Sequence, residues 1–149
     1  MFDTLGIIKA MADENRLRIL MSLQGKELCV CTLSELLDLA PSTTSKHLSV
    51  LKQARLIESV KDGKFVYYRL TLPEAKSYPL VGPALEWVGR SLADSEQVRT
   101  DAELLREIIE KGEQTSSDSQ AASAGHRLYR HVPGIHAIGN FERKKHAHN

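Results

Sequence analysis

The chain has 149 residues, 42% of them hydrophobic and 26% charged, and a formal net charge of +1. That length holds one domain with a real core plus trailing material, and no apolar run approaches the roughly 20 residues needed to span a bilayer. The N-terminus carries Asp3 and lacks a basic, cleavable leader pattern, so the expected setting is a cytoplasm in which both cysteines stay reduced. The charge is unevenly placed: residues 126–149 are net +4, which leaves the rest net −3. Inside that acidic remainder, residues 41–69 are again net +4. A basic block within an acidic body is the electrostatic footprint of a phosphate-backbone contact.

In chain order, residues 4–23 read as helix broken near Ala12-Asp13, with Leu5, Ile8 and Met11 on one face of the first part. Asp13 caps a second part carrying Leu17, Leu20 and Leu23, which Gly25 ends. Residues 32–39 read as a short helix capped by Thr32, with Glu35 at capping-box spacing and Leu33, Leu36 and Leu37 inward. Ala40-Pro41 breaks the chain. Ser42 caps a further helix to about Arg55 that turns Leu48 and Leu51 to the core. The period then changes to two. IESV and FVYYRL flank KDGK as a hairpin with an Asp-Gly turn. From Pro83, LEWVGRSL opens a helix that continues to about Lys111. Beyond Gly112 a polar, low-complexity linker leads into a basic tail holding five of the six histidines.

This order, a mainly α chain with one small β-hairpin, is that of a winged helix-turn-helix. Residues 1–95 form the DNA-binding domain and 96–112 a C-terminal helix. Residues 113–149 are expected to be disordered, dispensable and without a specific metal site. At 100° per residue, Ser42, Thr43, Lys46 and His47 share the exposed face of the helix after Pro41. Small hydroxyls there allow close approach to phosphates and base edges. Lys61 and Lys64 at the hairpin tip would meet the backbone or minor groove.

Cys29 and Cys31 stand at the entrance to the helix-turn-helix. A free cysteine is often only a small buried hydrophobe. A structural zinc site wants four ligands, usually as two spaced pairs, and no second pair lies nearby. A C-x-C pair suits a soft, thiophilic ion. In a regular helix, residues two apart point about 200° from each other. Capture of one ion by both sulfurs would therefore require the backbone to unwind. Oxidation of the same thiols is a second switch. A small thiol enzyme is a reading from another class, but neither a C-x-x-C nor a phosphate-cradling loop is present.

The stretch ELCVCTLSELLDLAPSTTSKHLSVLKQARLIESVKDGKFVYYRL closely resembles the arsenical-resistance repressor (ArsR) family, over about residues 5–92. The motifs that carry the likeness are ELCVC-x-L, S-x-x-S-x-HL-x-x-L and the wing G-K-x-x-x-YRL. The resemblance implies a homodimeric, non-enzymatic repressor that holds double-stranded operator DNA until a metal or metalloid binds, with no membrane partner. It implies Ser42, Thr43, Ser45, Lys46 and His47 as DNA contacts, and a dimer interface built from the first helix and the segment after Pro83. It points to arsenite or antimonite as inducer at Cys29 and Cys31, with no cofactor required. Some family members carry a third cysteine where this chain has Ser34, a poor ligand for a soft ion. Ser34 is therefore expected to matter little.

Overall fold

The computed structural model describes residues 1–72, 78–118 and 129–131. Phe2–Met11 (α1) and Glu14–Ser22 (α2) meet at Asp13, whose carboxylate accepts from the Arg16 amide at 3.0 Å. The expected break and cap are therefore present. The apolar face of α1 read from Leu5, Ile8 and Met11 is not the one that enters the core. Ile7 and Ala10 enter the core, while Leu5 and Ile8 stay exposed. Periodicity marks an apolar face but not what covers it.

Lys26–Cys29 (β1) follows and has no counterpart in the sequence reading. It is only four residues long, with the burial of a strand covered on both faces rather than a clean alternation. Val30–Leu37 (α3) starts two residues earlier than expected and is capped by Cys29, not Thr32. Asp38 turns left-handed, and the Leu39 amide reaches the Ser34 carbonyl at 3.0 Å, closing the helix. Pro41–Gln53 (α4) begins with proline at its first position and Ala40 as the flanking residue. The missing proline N–H is an orphan at that position in any case, so Ser42 is not the cap and its hydroxyl faces outward.

Ile57–Asp62 (β2) and Phe65–Leu70 (β3) pair antiparallel from Ile57↔Leu70 to Asp62↔Phe65. The central pair of the turn is thus Gly63-Lys64, one step beyond the expected Asp-Gly. Gly63 has φ +60°, which places glycine first in a two-residue hairpin loop, where the backbone twist matches that of the strands. Val81–Ser91 (α5) and Glu96–Asp118 (α6) are separate helices rather than one continuous one. Ser95 starts α6, accepting the Val98 amide at its hydroxyl. α6 runs through Gly112, so residues 113–118 are helix and not linker. In the tail, Tyr129–His131 (β4) pairs antiparallel with β1, giving the sheet order β2-β3-β1-β4. His126, His136, His146 and His148 lie outside the described residues.

One core joins these elements. Ile19 and Leu20 of α2, Leu33 and Leu36 of α3, Leu48 and Leu51 of α4, and Leu105 and Ile108 of α6 are all buried in it. Arg18 adds a polar clamp: Nε and Nη2 meet the two Asp101 oxygens at 2.8 and 2.9 Å, and Nη2 also approaches the Leu36 carbonyl. Through this one side chain α6, α2 and the end of α3 are tied together. Asp101 raises the Arg18 pKa above its already high value by hydrogen bonding. No helix among the described residues is long and apolar enough to cross a membrane.

Lys26 on β1 is half-buried, and burial with Arg106 nearby lowers its pKa from the ordinary 10.5. A depressed lysine pKa means that the charged form opposes folding. The penalty is complete below the folded pKa and is relieved as pH rises from there toward the unfolded value. Lys26→Met is therefore expected to raise the thermal midpoint at neutral pH. The gain should shrink as the pH rises toward about 10.4 and be gone above it, as melts followed by circular dichroism across that range would record.

Candidate functional site

The helix pair α3–α4 has a three-residue turn, Asp38–Ala40, and a buried polar link across it. Ser34 donates to the Thr44 hydroxyl at 3.0 Å, and Thr44 donates to the Ala40 carbonyl at 3.2 Å. Both side chains are buried. Helical geometry explains the rest of α4. Thr44, Leu48 and Leu51 point inward, and at 100° per residue Ser42 and Lys46 are then directed nearly opposite, with Thr43 and Ser45 to either side. All four are exposed.

His47 departs from the expected exposed face. Its side chain is only 16% exposed, and Nδ1 lies 3.8 Å from Asp13 Oδ1 and 3.4 Å from Arg16 Nη1. The rotation from the inward residues to position 47 is too small to clear α2. His47 therefore braces α4 on the start of α2.

The end of α4 is built to hold the wing. Arg55 adopts φ +63°. The Leu56 amide bonds the Leu51 carbonyl at 3.1 Å and the Arg55 amide bonds the Lys52 carbonyl at 3.0 Å. This is the paired closure that usually employs glycine. Tyr78 lies beneath the Arg55 guanidinium, 4.4 Å from ring centroid to Cζ, and this contact offsets part of the backbone strain. Thr71, just past β3, then donates to the Arg55 carbonyl at 2.6 Å, and Lys52 Nζ reaches the Ser59 hydroxyl at 2.7 Å. α4 and the β2–β3 hairpin are thus one unit, with Lys61 and Lys64 exposed at its tip. Arg69 ties the sheet together, with Glu27 on β1 and Glu58 on β2 each 3.3 Å away.

Cys29 and Cys31 are closer than expected. Their sulfurs are joined, with the Cα atoms 5.4 Å apart, which corrects the picture of two reduced, diverging thiols. Cys29 is not helical. It is extended, at φ −83° and ψ 165°, so the helical rotation does not apply to it and no unwinding is needed to bring the sulfurs together. Cys29 is 5% exposed, and its sulfur accepts from the Thr32 amide at 3.4 Å and lies 3.2 Å from the Thr32 hydroxyl. Cys31 is exposed. The bland reading of a buried thiol and the reactive reading of an accessible one thus apply to different members of the same pair. Ser34 is committed to α4. No group of three or more His, Cys, Asp or Glu placed to hold a metal occurs among the described residues.

Known proteins match this arrangement. The description "Bacterial regulatory protein, arsR family" fits residues 13–59, which run from the α2 cap into β2. An arsenic resistance transcriptional regulator of Pseudomonas putida is 32% identical over 113 residues, 74% of this chain and 81% of its own length. The chain belongs to the arsR family. The family's description and the relative's name are those of regulatory proteins. The cadmium resistance regulatory protein CadC of Listeria innocua is 47% identical over 64 residues, 42% of this chain. There the match spans only 54% of the relative's length. Among solved structures, the homodimeric winged helix-turn-helix domain of a possible ArsR-family regulator from Mycobacterium bovis superposes with TM-score 0.52 at 27% identity. That likeness covers 62% of this chain and 79% of the other. The fold is a winged helix-turn-helix.

The Ser34–Thr44 link makes an asymmetric prediction for this arsR-family chain. Ser34→Ala removes one hydrogen bond, worth about 1 kcal/mol, while Thr44 keeps Ala40. Thr44→Val removes that bond as well and leaves a buried serine hydroxyl, so it should cost about 1–3 kcal/mol. Urea denaturation of both single variants and the double variant checks the order, and the double should cost less than the sum.

Proposed function

We propose that the protein represses a metalloid-resistance operon. In this reading it binds double-stranded operator DNA as a homodimer and lets go when trivalent arsenic or antimony bridges the reduced Cys29 and Cys31. The observation that carries the reading is the convergence of both sulfurs on the junction between β1 and α3. Two thiols and arsenous acid can condense there with loss of two waters, leaving the third position on arsenic to hydroxide or an external thiol. Ser34 is occupied with Thr44 and does not supply it. The Pseudomonas putida and Listeria innocua relatives, named for arsenic and cadmium resistance, support an inducer of this soft class.

The residues divide the work as follows. Ser42, Thr43, Ser45 and Lys46 would contact the major groove, and Lys61 and Lys64 the adjacent backbone. His47 would hold α4 in register rather than read a base. Phe2, Leu5 and Ile8 of α1, with Leu80 and Trp87 at α5, leave an exposed apolar surface suited to a second copy. Two-fold pairing sets two recognition helices one DNA turn apart, and the homodimeric Mycobacterium bovis domain supports it. A change at Cys29 reaches DNA by a short route: Cys29 caps α3, and α3 is bonded to α4 through Ser34 and Thr44. Weakening operator affinity a hundredfold needs only about 2.7 kcal/mol of coupling along that route.

The joined sulfurs also favour a second reading, a thiol-redox repressor. Exchange with a low-molecular-weight disulfide would close the Cys29–Cys31 bond and deliver two electrons and two protons to that disulfide.

Gel shifts on the chain's own upstream region, with and without arsenite, test the first reading. Cys31→Ser should bind the operator normally and fail to release it. Serine keeps the size at an exposed position but offers no soft donor. Release of the variant at the wild-type arsenite concentration would end the metalloid reading. Release by an oxidant alone, lost in Cys31→Ser, would select the redox one.

The wing makes a separate prediction. Replacing Lys61 and Lys64 with alanine should weaken specific and non-specific DNA about equally and lower the salt slope by about 2. An unchanged slope in a salt titration followed by fluorescence anisotropy would mean that the wing does not touch phosphate.

A further inference from the structure

Among the described residues of the tail, Tyr129–His131 returns to the body. β4 pairs with β1 through Lys26↔His131, Glu27↔Arg130 and Leu28↔Tyr129. On its other edge β1 meets β3 only at Leu28↔Tyr68 and Cys29↔Tyr67. Lys26 and Glu27 therefore have no β3 register partner, and β4 supplies one for each. An open strand edge exchanges and frays readily. The residue after Leu28 is Cys29, which ends β1, caps α3 and keeps its sulfur buried against Thr32.

We infer that β4 is a C-terminal strap on β1: by pairing with Lys26–Leu28 it steadies the strand that ends at Cys29, and so governs how readily the β1–α3 junction opens to expose that sulfur. This inference rests on Cys29 being a sensing residue, as proposed above, but its test needs no metalloid. The two thiols differ in exposure, so Cys31 reacts without any opening and serves as an internal reference. Cys29 reacts only when the β1–α3 junction loosens. Release of the strap would therefore convert a shielded pair into one that captures a thiophilic ion faster. The tail then sets the speed of the switch. It was expected from sequence to be a dispensable appendage.

The test uses the full chain with Tyr129→Pro and Arg130→Pro together. Successive residues of an antiparallel strand send their N–H groups to opposite sides, so two adjacent prolines must delete a donor facing β1. The reduced wild type and variant are pulsed with iodoacetamide, and labelling at Cys29 and Cys31 is read separately by mass spectrometry. Amide exchange of residues 26–28 is followed in parallel. The expected result is labelling of Cys29 about tenfold faster in the variant, no change at Cys31, and faster exchange in β1, because one lost backbone hydrogen bond shifts a local opening by about that factor. A chain ended after Asp118 should behave the same way. Unchanged Cys29 labelling overturns the strap, whether or not β1 exchange rises. Equal acceleration at both cysteines overturns it too, as general loosening. Protection of β1 that depends on protein concentration would assign the strand to a second copy and overturn the pairing within one chain. If labelling changes as expected and arsenite still fails to release DNA, the strap stands and the metalloid reading alone falls.

Discussion

Cys29 has to serve two elements at once, and the site depends on that double duty. As the last residue of β1 it must be extended to pair with Tyr67. As the cap of α3 it must present an acceptor to the Thr32 amide, a role usually given to Ser, Thr, Asp or Asn. Both demands are met by one backbone conformation, and that same conformation swings the sulfur toward Cys31. Had Cys29 been helical, the two side chains would have diverged by more than a right angle. The pairing of the sulfurs is therefore a consequence of where a strand stops and a helix starts.

From that junction the structure is stiff toward α4 and the hairpin. α3 is an eight-residue helix, locked at its far end by the left-handed Asp38 and at its middle by Ser34 on Thr44. The far end of α4 is locked to the wing through Arg55 and Thr71. His47 and Arg18 fasten the same pair of helices to α2 and, through Asp101, to α6. A displacement at the N-terminus of α3 thus has few places to dissipate short of the exposed face of α4. Polar links of this kind are directional and costly to leave half-made, which makes the assembly suited to two discrete arrangements rather than a continuum.

The polar links were the part least legible from the chain. The hydroxyls of PSTTSKHL look alike in sequence, yet Thr44 is a buried strut while Ser42, Thr43 and Ser45 are surface groups. Helical rotation from Leu48 and Leu51 would have separated them, since Thr44 lies one turn before Leu48 on the inward side. His47 was harder. It sits at the edge of the inward face, and only the position of α2 decides whether such a side chain is solvated or clamped. β1 was missed because four residues between two helices carry no period of their own, and its partners lie about forty and one hundred residues away.

Local pattern by itself determined most of the architecture. The break at Asp13, the leucine faces of α2 and α3, the switch to period two and the basic tip of the wing all follow from spacing and from the chemistry of caps and turns. The C-x-C pair drew attention to this junction without revealing its shape. Tertiary structure alone decided that Cys29 belongs to a strand, that Ser34 serves Thr44 instead of the cysteines, and that a piece of the tail joins the sheet. The reason is the same in each case. These outcomes rest on partners distant in sequence, and a residue's own neighbours carry no information about which strand or helix will be packed beside it.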